Sequence, residues 1–153
     1  DEVLVGFDSR YKVVPPLREE ATRKALIEAV LDGTIDCITS DHNPLDIELK
    51  KLEFDLAKEG TIGLESAYGA LATILPLEVI IDKLTASKEI FKINTATIAV
   101  GNKADISMFT TNDNWTFGKE HLLSKSKNSA FFGQKMKGKV IGIYNNGQLI
   151  TNN

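Results

Sequence analysis

The chain has 153 residues, of which 42% are apolar and 25% charged, with a formal net charge of −3 and a single cysteine. That balance suits a chain able to bury one hydrophobic core, and a lone Cys37 excludes an internal disulfide framework. No run of about 18 apolar residues and no charged-then-apolar leader occurs, so the sequence predicts neither a membrane span nor a signal peptide and reads as cytoplasmic.

The charge is unevenly spread. Residues 1–100 carry 11 Lys and Arg against 18 Asp and Glu, a net of −7, whereas residues 101–153 carry 7 against 3, a net of +4. The change predicts two differently built regions, residues 1–100 and residues 101–153. The basic C-terminal stretch, Lys119 to Lys139, lacks arginine and dense aromatic interleaving, so it reads as a solvated lysine face and not as a nucleic-acid surface. The first residue is Asp1 and not Met, and nothing beside it caps or opens a domain, which reads as a truncated beginning.

In chain order, VLVGF (3–7) is too short to classify, and Pro15-Pro16 forces an extended passage. REEATRKALIEAVLDG (18–33) predicts a helix with Ala21, Ala25, Leu26 and Ala29 on its apolar stripe and Gly33 just past its end. TIDCIT (34–39) reads as a buried strand, with Cys37 as a buried thiol, and it stops at the polar segment Ser40-Asp41-His42-Asn43-Pro44. DIELKKLEFDLAKEG (46–60) fits a short helix or an ordered loop. GLESAYGALATIL and PLEVIIDKLTA predict two helices parted at Pro76, with a short SKEIFKI helix after them. Beyond Gly101 the period changes to that of strands: ADISMFT is one, and KVIGIYNNGQLI is a hairpin turning at Asn146-Gly147.

Asp41 is the leading candidate for chemistry, because it stands where a predicted strand meets a loop. A carboxylate there can bind a divalent metal or take a proton from an attacking water; a helix cap or Asx-turn ahead of Pro44 is the alternative. Neighbouring residues of an extended segment point to opposite sides, so His42 is not expected to chelate together with Asp41. A hydrogen-bonded structural role suits His42, and a surface position suits His121. With two histidines and one cysteine in the chain, a closed His/Cys zinc site cannot be assembled. Arg18, after the stiff Pro15-Pro16, is placed either to grip a carboxylate or to form a surface salt bridge. Gly60, Gly63 and Gly69 form no dinucleotide fingerprint.

Taken together, YKVVPPLR, DGTIDCITSDHNP, GTIGLES and SKSKNSAFFGQKMKGKVIGIYNNGQ resemble, in order, the C-terminal half of dihydroorotases, cyclic amidohydrolases of the amidohydrolase superfamily. The resemblance covers essentially the whole chain. It implies an α/β fold, the C-terminal fragment of a metal-dependent hydrolase (β/α)8 TIM barrel over residues 1–100, with part of a small composite β-sandwich over residues 101–153. It also implies zinc, binuclear in the full-length site and held largely by residues outside this chain, so that the fragment alone is expected to be inactive. The implied reaction is reversible hydrolysis of dihydroorotate to N-carbamoyl-aspartate in pyrimidine biosynthesis. In that reading Asp41 is metal ligand and general base, and the backbone at Gly60 lies against the substrate ring. The expected partners are a small cyclic amide, further copies of the chain in a homo-oligomer, and an aspartate carbamoyltransferase, with no nucleic acid and no membrane.

Two positions depart from the dihydroorotase pattern. Val14 stands where an Asn usually precedes PPLR, and Leu45 where a second His follows the DH pair. Loss of two polar contacts weakens a site for a carboxylated ring, which keeps an allantoinase-like hydrolase and a non-catalytic dihydroorotase-like scaffold as alternatives.

Overall fold

In the computed structural model, which describes residues 2–94 and 97–152, the first long element is helix α1 (Glu20–Leu31). Asp1, on which the reading of a truncated beginning rests, lies outside the described residues. The predicted helix forms, but on a different face: Val30 is buried and Ile27 packs beside it, while Leu26 is 52% exposed. The core side is chosen by the partner element. Helix α4 (Leu77–Ile90) brings Ile80, which with Leu75 and Val30 forms the centre of an apolar cluster completed by Ile35, Ile38 and Leu71. Each such fully buried aliphatic side chain contributes about 1.5–3 kcal/mol. SKEIFKI does not form its own helix; nothing between Ala86 and Ser87 breaks the period, so α4 runs on to Ile90.

Helix α2 (Ile47–Lys50) is a single turn capped by the Asp46 side chain. Helix α3 (Ala67–Leu71) is shorter than the periodicity predicts. Helical hydrogen bonding begins at Gly63, whose carbonyl accepts from Ala67 at 2.8 Å, but after Leu71 the chain tightens into bonds such as Thr73 N–H to Ala70.

TIDCIT does not become a strand. Extended backbone joins a sheet only when a neighbour takes its amides; here the Ile35 N–H goes to the Ala29 carbonyl and the Ile38 N–H to Lys83, both at 2.9 Å. Cys37 is accordingly half-buried and not a core thiol.

The strands lie later in the chain: β1 (Ile106–Phe109), β2 (Asn114–Thr116), β3 (Lys135–Lys137), β4 (Val140–Asn145) and β5 (Gln148–Thr151). The predicted hairpin is β4–β5, with Asn145 facing Gln148 and positive φ at both Asn146 (49°) and Gly147 (77°), as a two-residue primed turn requires. The β2–β3 pair was not visible in the sequence. It sets Trp115 opposite Met136 and, with Phe117, builds a second buried patch against α3.

The expected TIM barrel is therefore corrected. Among the described residues the chain is a small α/β unit with four α-helices and two antiparallel sheets, ordered β1-β4-β5 and β2-β3, and no closed parallel topology. The parallel pairing found there is one isolated bridge, His42 to Thr61. A parallel barrel needs successive strands that take one another's amides, and the segment before Asp41 spends its amides elsewhere. Among the described residues, no helix is long and apolar enough to cross a membrane.

Candidate functional site

Asp41 and Gly60 come together on two loops running side by side. The bridge between His42 and Thr61 joins them, reinforced by the Asn43 N–H donating to the Thr61 carbonyl at 2.9 Å. The approach is close enough to specify glycine twice. At Gly60, φ is 135° and a Cβ would lie 2.8 Å from the Asn43 amide nitrogen; at Gly63 a Cβ would lie 2.4 Å from the Ser40 carbonyl oxygen.

Asp41 itself takes a left-handed backbone, φ 43°, with its N–H donating to the Thr39 hydroxyl at 3.1 Å. Asp tolerates that region better than most residues, yet holding it there costs on the order of 1 kcal/mol. The side chain is exposed, and among the described residues no hydrogen bond or ion pair engages its carboxylate. An unengaged carboxylate on a constrained backbone is able to accept a proton from a bound water.

His42 has a structural role. Its Nδ1 accepts the Gly63 and Leu64 N–H groups at 3.3 and 3.2 Å, and 3.9 Å away lies Oε2 of Glu65. The other Glu65 oxygen accepts the Ser124 N–H at 2.8 Å.

The residue that ties the loops together was missed at the level of the sequence. Asn128 is 3% exposed, and its amide donates to the carbonyls of Asn43 (3.2 Å) and Gly60 (3.3 Å). Its Oδ1 accepts the Leu45 N–H at 3.3 Å and the Ser126 hydroxyl, while its own carbonyl takes the Ile62 N–H at 3.1 Å. Thr61 Oγ1 closes the network by accepting from the Ala130 N–H at 2.9 Å. One side chain thus sets the spacing between the Asp41 loop and the Gly60 loop. Leu45 enters this network through its backbone, so the His-to-Leu departure leaves the loop tied. Val14 is 62% exposed, and Arg18 lies exposed in the segment leading into α1.

His121, expected at the surface, is half-buried. It packs on Trp115 with ring centres 4.6 Å apart and stacks on Phe117, and its Nδ1 accepts the Gly118 N–H at 3.0 Å.

The expected zinc and metal-binding character is corrected as well. Among the described residues no group of three or more His, Cys, Asp or Glu is placed to hold a metal ion. The physical reason is local: His42 and His121 each commit Nδ1 to backbone amides, and Asp41 stands without a second ligand beside it. These residues do not fit a metal centre by themselves.

No protein-family model matches the chain. It is similar to a dihydroorotase of Caldicellulosiruptor saccharolyticus, 34% identical across 98% of this chain and 36% of that protein. The dihydroorotase of Bacillus subtilis is 38% identical across 97% of this chain and again 36% of that protein. Among solved structures, an L-hydantoinase (dihydropyrimidinase) from Arthrobacter aurescens superposes with a TM-score of 0.83 at 22% identity, over 99% of this chain and 36% of the other. A D-hydantoinase (dihydropyrimidinase) from Thermus sp. gives 0.73 at 25% identity, over 94% of this chain and 36% of that one. The chain spans 36% of the length of these relatives.

Proposed function

We propose, on the premise that the chain is homologous to amidohydrolase-superfamily enzymes over a limited part of their length, that it forms the Asp41-bearing part of a cyclic-amide hydrolase, with dihydroorotate as the substrate. The observation that carries this reading is the exposed, unengaged Asp41 carboxylate held in a left-handed backbone beside the Gly60 loop.

In this reading a water attacks the ring carbonyl of dihydroorotate. Asp41 accepts a proton from that water, and the tetrahedral intermediate collapses as the ring C–N bond breaks. The proton on Asp41 then passes to the departing nitrogen, giving N-carbamoyl-aspartate and returning the carboxylate. The reverse sequence closes the ring. Gly60 contributes its backbone, which in this reading lies against the ring, while the space a Cβ would take is filled by the Asn43 side chain. The described residues alone supply no metal site. A hydrolase of this kind completes its site with residues beyond this region, so the 153-residue chain by itself is expected to be inactive.

The test is a substrate comparison with the full-length gene product that contains this sequence, using dihydroorotate and allantoin in parallel. Ring opening of dihydroorotate, followed as N-carbamoyl-aspartate formation, supports the reading. Turnover of allantoin alone would move the substrate to the allantoinase class, and inertness toward both would favour a scaffold role.

A further inference from the structure

A second site lies away from Asp41. A cavity of about 500 Å³ opens between α3, the start of β2, the turn at residues 119–121 and the beginning of β4. That volume is of the size that holds small ligands. Its walls carry three aromatic rings fixed in place: Tyr68 donates its hydroxyl to the Thr110 carbonyl at 2.8 Å, Trp115 its Nε1–H to Gly138 at 2.9 Å, and His121 is held as described.

Glu65 also lines this cavity, and its Oε2 is shut off from solvent with no hydrogen-bond partner among the described residues. His42 Nδ1, 3.9 Å away, donates nothing to it, because its lone pair already accepts two backbone N–H groups. A buried carboxylate oxygen without a donor is costly, about 1–3 kcal/mol or more, and although the cavity does not reach Oε2 itself, its unneutralised charge favours a cation at the cavity wall. Glu120, at the same cavity, adds a second carboxylate and is 72% exposed. Lys139 lines the cavity too, but it forms no ion pair with either Glu among the described residues.

We propose that this cavity binds a planar organic cation, a guanidinium or amidinium group, whose N–H groups reach Glu120, whose charge is balanced by Glu120 and the nearby Glu65, and whose face lies against Trp115 and its aromatic neighbours. A flat, weakly hydrated cation suits both features: it stacks on aromatic rings and donates to carboxylates, whereas a compact ammonium satisfies the second and gains less from the first. The group belongs either to a free small molecule or to an arginine side chain in a polypeptide.

Trp115 is the sole tryptophan, so its fluorescence reports the site directly. Benzamidine titrated into the full chain should give a saturable change, and the neutral isostere benzamide should give none. Glu65→Gln should weaken benzamidine at least tenfold. If that variant fails to show a folded far-UV circular dichroism spectrum, Leu123→Lys takes its place. Leu123 is 81% exposed at the cavity, so a lysine there leaves the fold alone and should repel the cation to the same extent. An acetyl-Gly-Arg-Gly-amide peptide run beside benzamidine separates the two sources, since tighter binding of the peptide marks an arginine side chain and tighter binding of benzamidine a free ligand. No saturable change with either cation, equal binding of benzamide, or unaltered affinity in the folded variant would each overturn the proposal.

Discussion

The side-chain amide of Asn128 donates to the carbonyl of Asn43 at 3.2 Å, across a separation of 85 residues. Because the same amide also reaches Gly60, the position of Asp41 relative to the Gly60 loop depends on a side chain from the basic C-terminal region. Replacing it should loosen the loops and the fold together. Asn128→Ala is expected to lower unfolding stability in urea by about 1–3 kcal/mol, since it strands carbonyls that Asn128 now satisfies. Asn128→Asp, which sets a negative charge against those carbonyls, should cost more. Wild-type stability in both would remove Asn128 from this role.

Gly60→Ala should destabilise the chain by about 1–3 kcal/mol, because its φ of 135° is foreign to alanine and its Cβ would collide with Asn43. Gly6→Ala is the control. A Cβ there meets nothing within 4 Å, so thermal melting should shift by no more than the equivalent of about 0.5 kcal/mol.

Arg10 donates from Nε and Nη2 to one Asp8 oxygen, Oδ2, at 2.8 and 2.6 Å, and that hydrogen-bonded guanidinium holds the Asp8 carboxyl below its ordinary value of 3.8 despite partial burial. A depressed carboxylate contributes stability that is present above 3.8 and lost as pH falls through the lower, folded value. Melting temperature measured from pH 5 downward should therefore fall less steeply in Asp8→Asn than in wild type. Parallel profiles would show that the pair contributes nothing to acid lability, as exposed pairs often do not.

Apolar side chains stand widely exposed, among them Val5 at 80%, Phe7 at 70%, Ile98 at 86% and Leu123 at 81%. Such a surface favours association. The isolated chain is expected to show concentration-dependent self-association in sedimentation velocity, relieved by Val5→Lys together with Ile98→Lys; a monomer at all concentrations would contradict this.

Features set by neighbouring residues were legible in the sequence. The Asn146-Gly147 turn, the existence and extent of α1 and the break at Pro76 each act over a few positions, and each appears in the structure, although α1 buries another face than its periodicity predicts. Features set by distant partners were not. TIDCIT carries strand-forming side chains, yet whether it pairs depends on who takes its amides, and Ala29 and Lys83 took two of them. Likewise β2 and β3 are three residues each, too short for a period, and the aromatic setting of His121 arises only once Trp115 and Phe117 pack against it. Asn128 lay inside a stretch that mattered to the resemblance, but nothing local distinguishes it from Asn43 or Asn152. The closeness of the Gly60 and Asp41 loops follows from that one side chain and from Thr61. The barrel and the zinc set were expectations of the resemblance, and the described residues carry neither.

The proton transfer proposed for Asp41 is tested most directly by Asp41→Asn in the full-length gene product, assayed in both directions of the dihydroorotate reaction. Asparagine tolerates the left-handed backbone as aspartate does, so the fold and the loop network should persist while the base is lost. Turnover is expected to fall about 100-fold or more with far-UV circular dichroism unchanged. Turnover at the wild-type rate in a folded Asp41→Asn protein would contradict it.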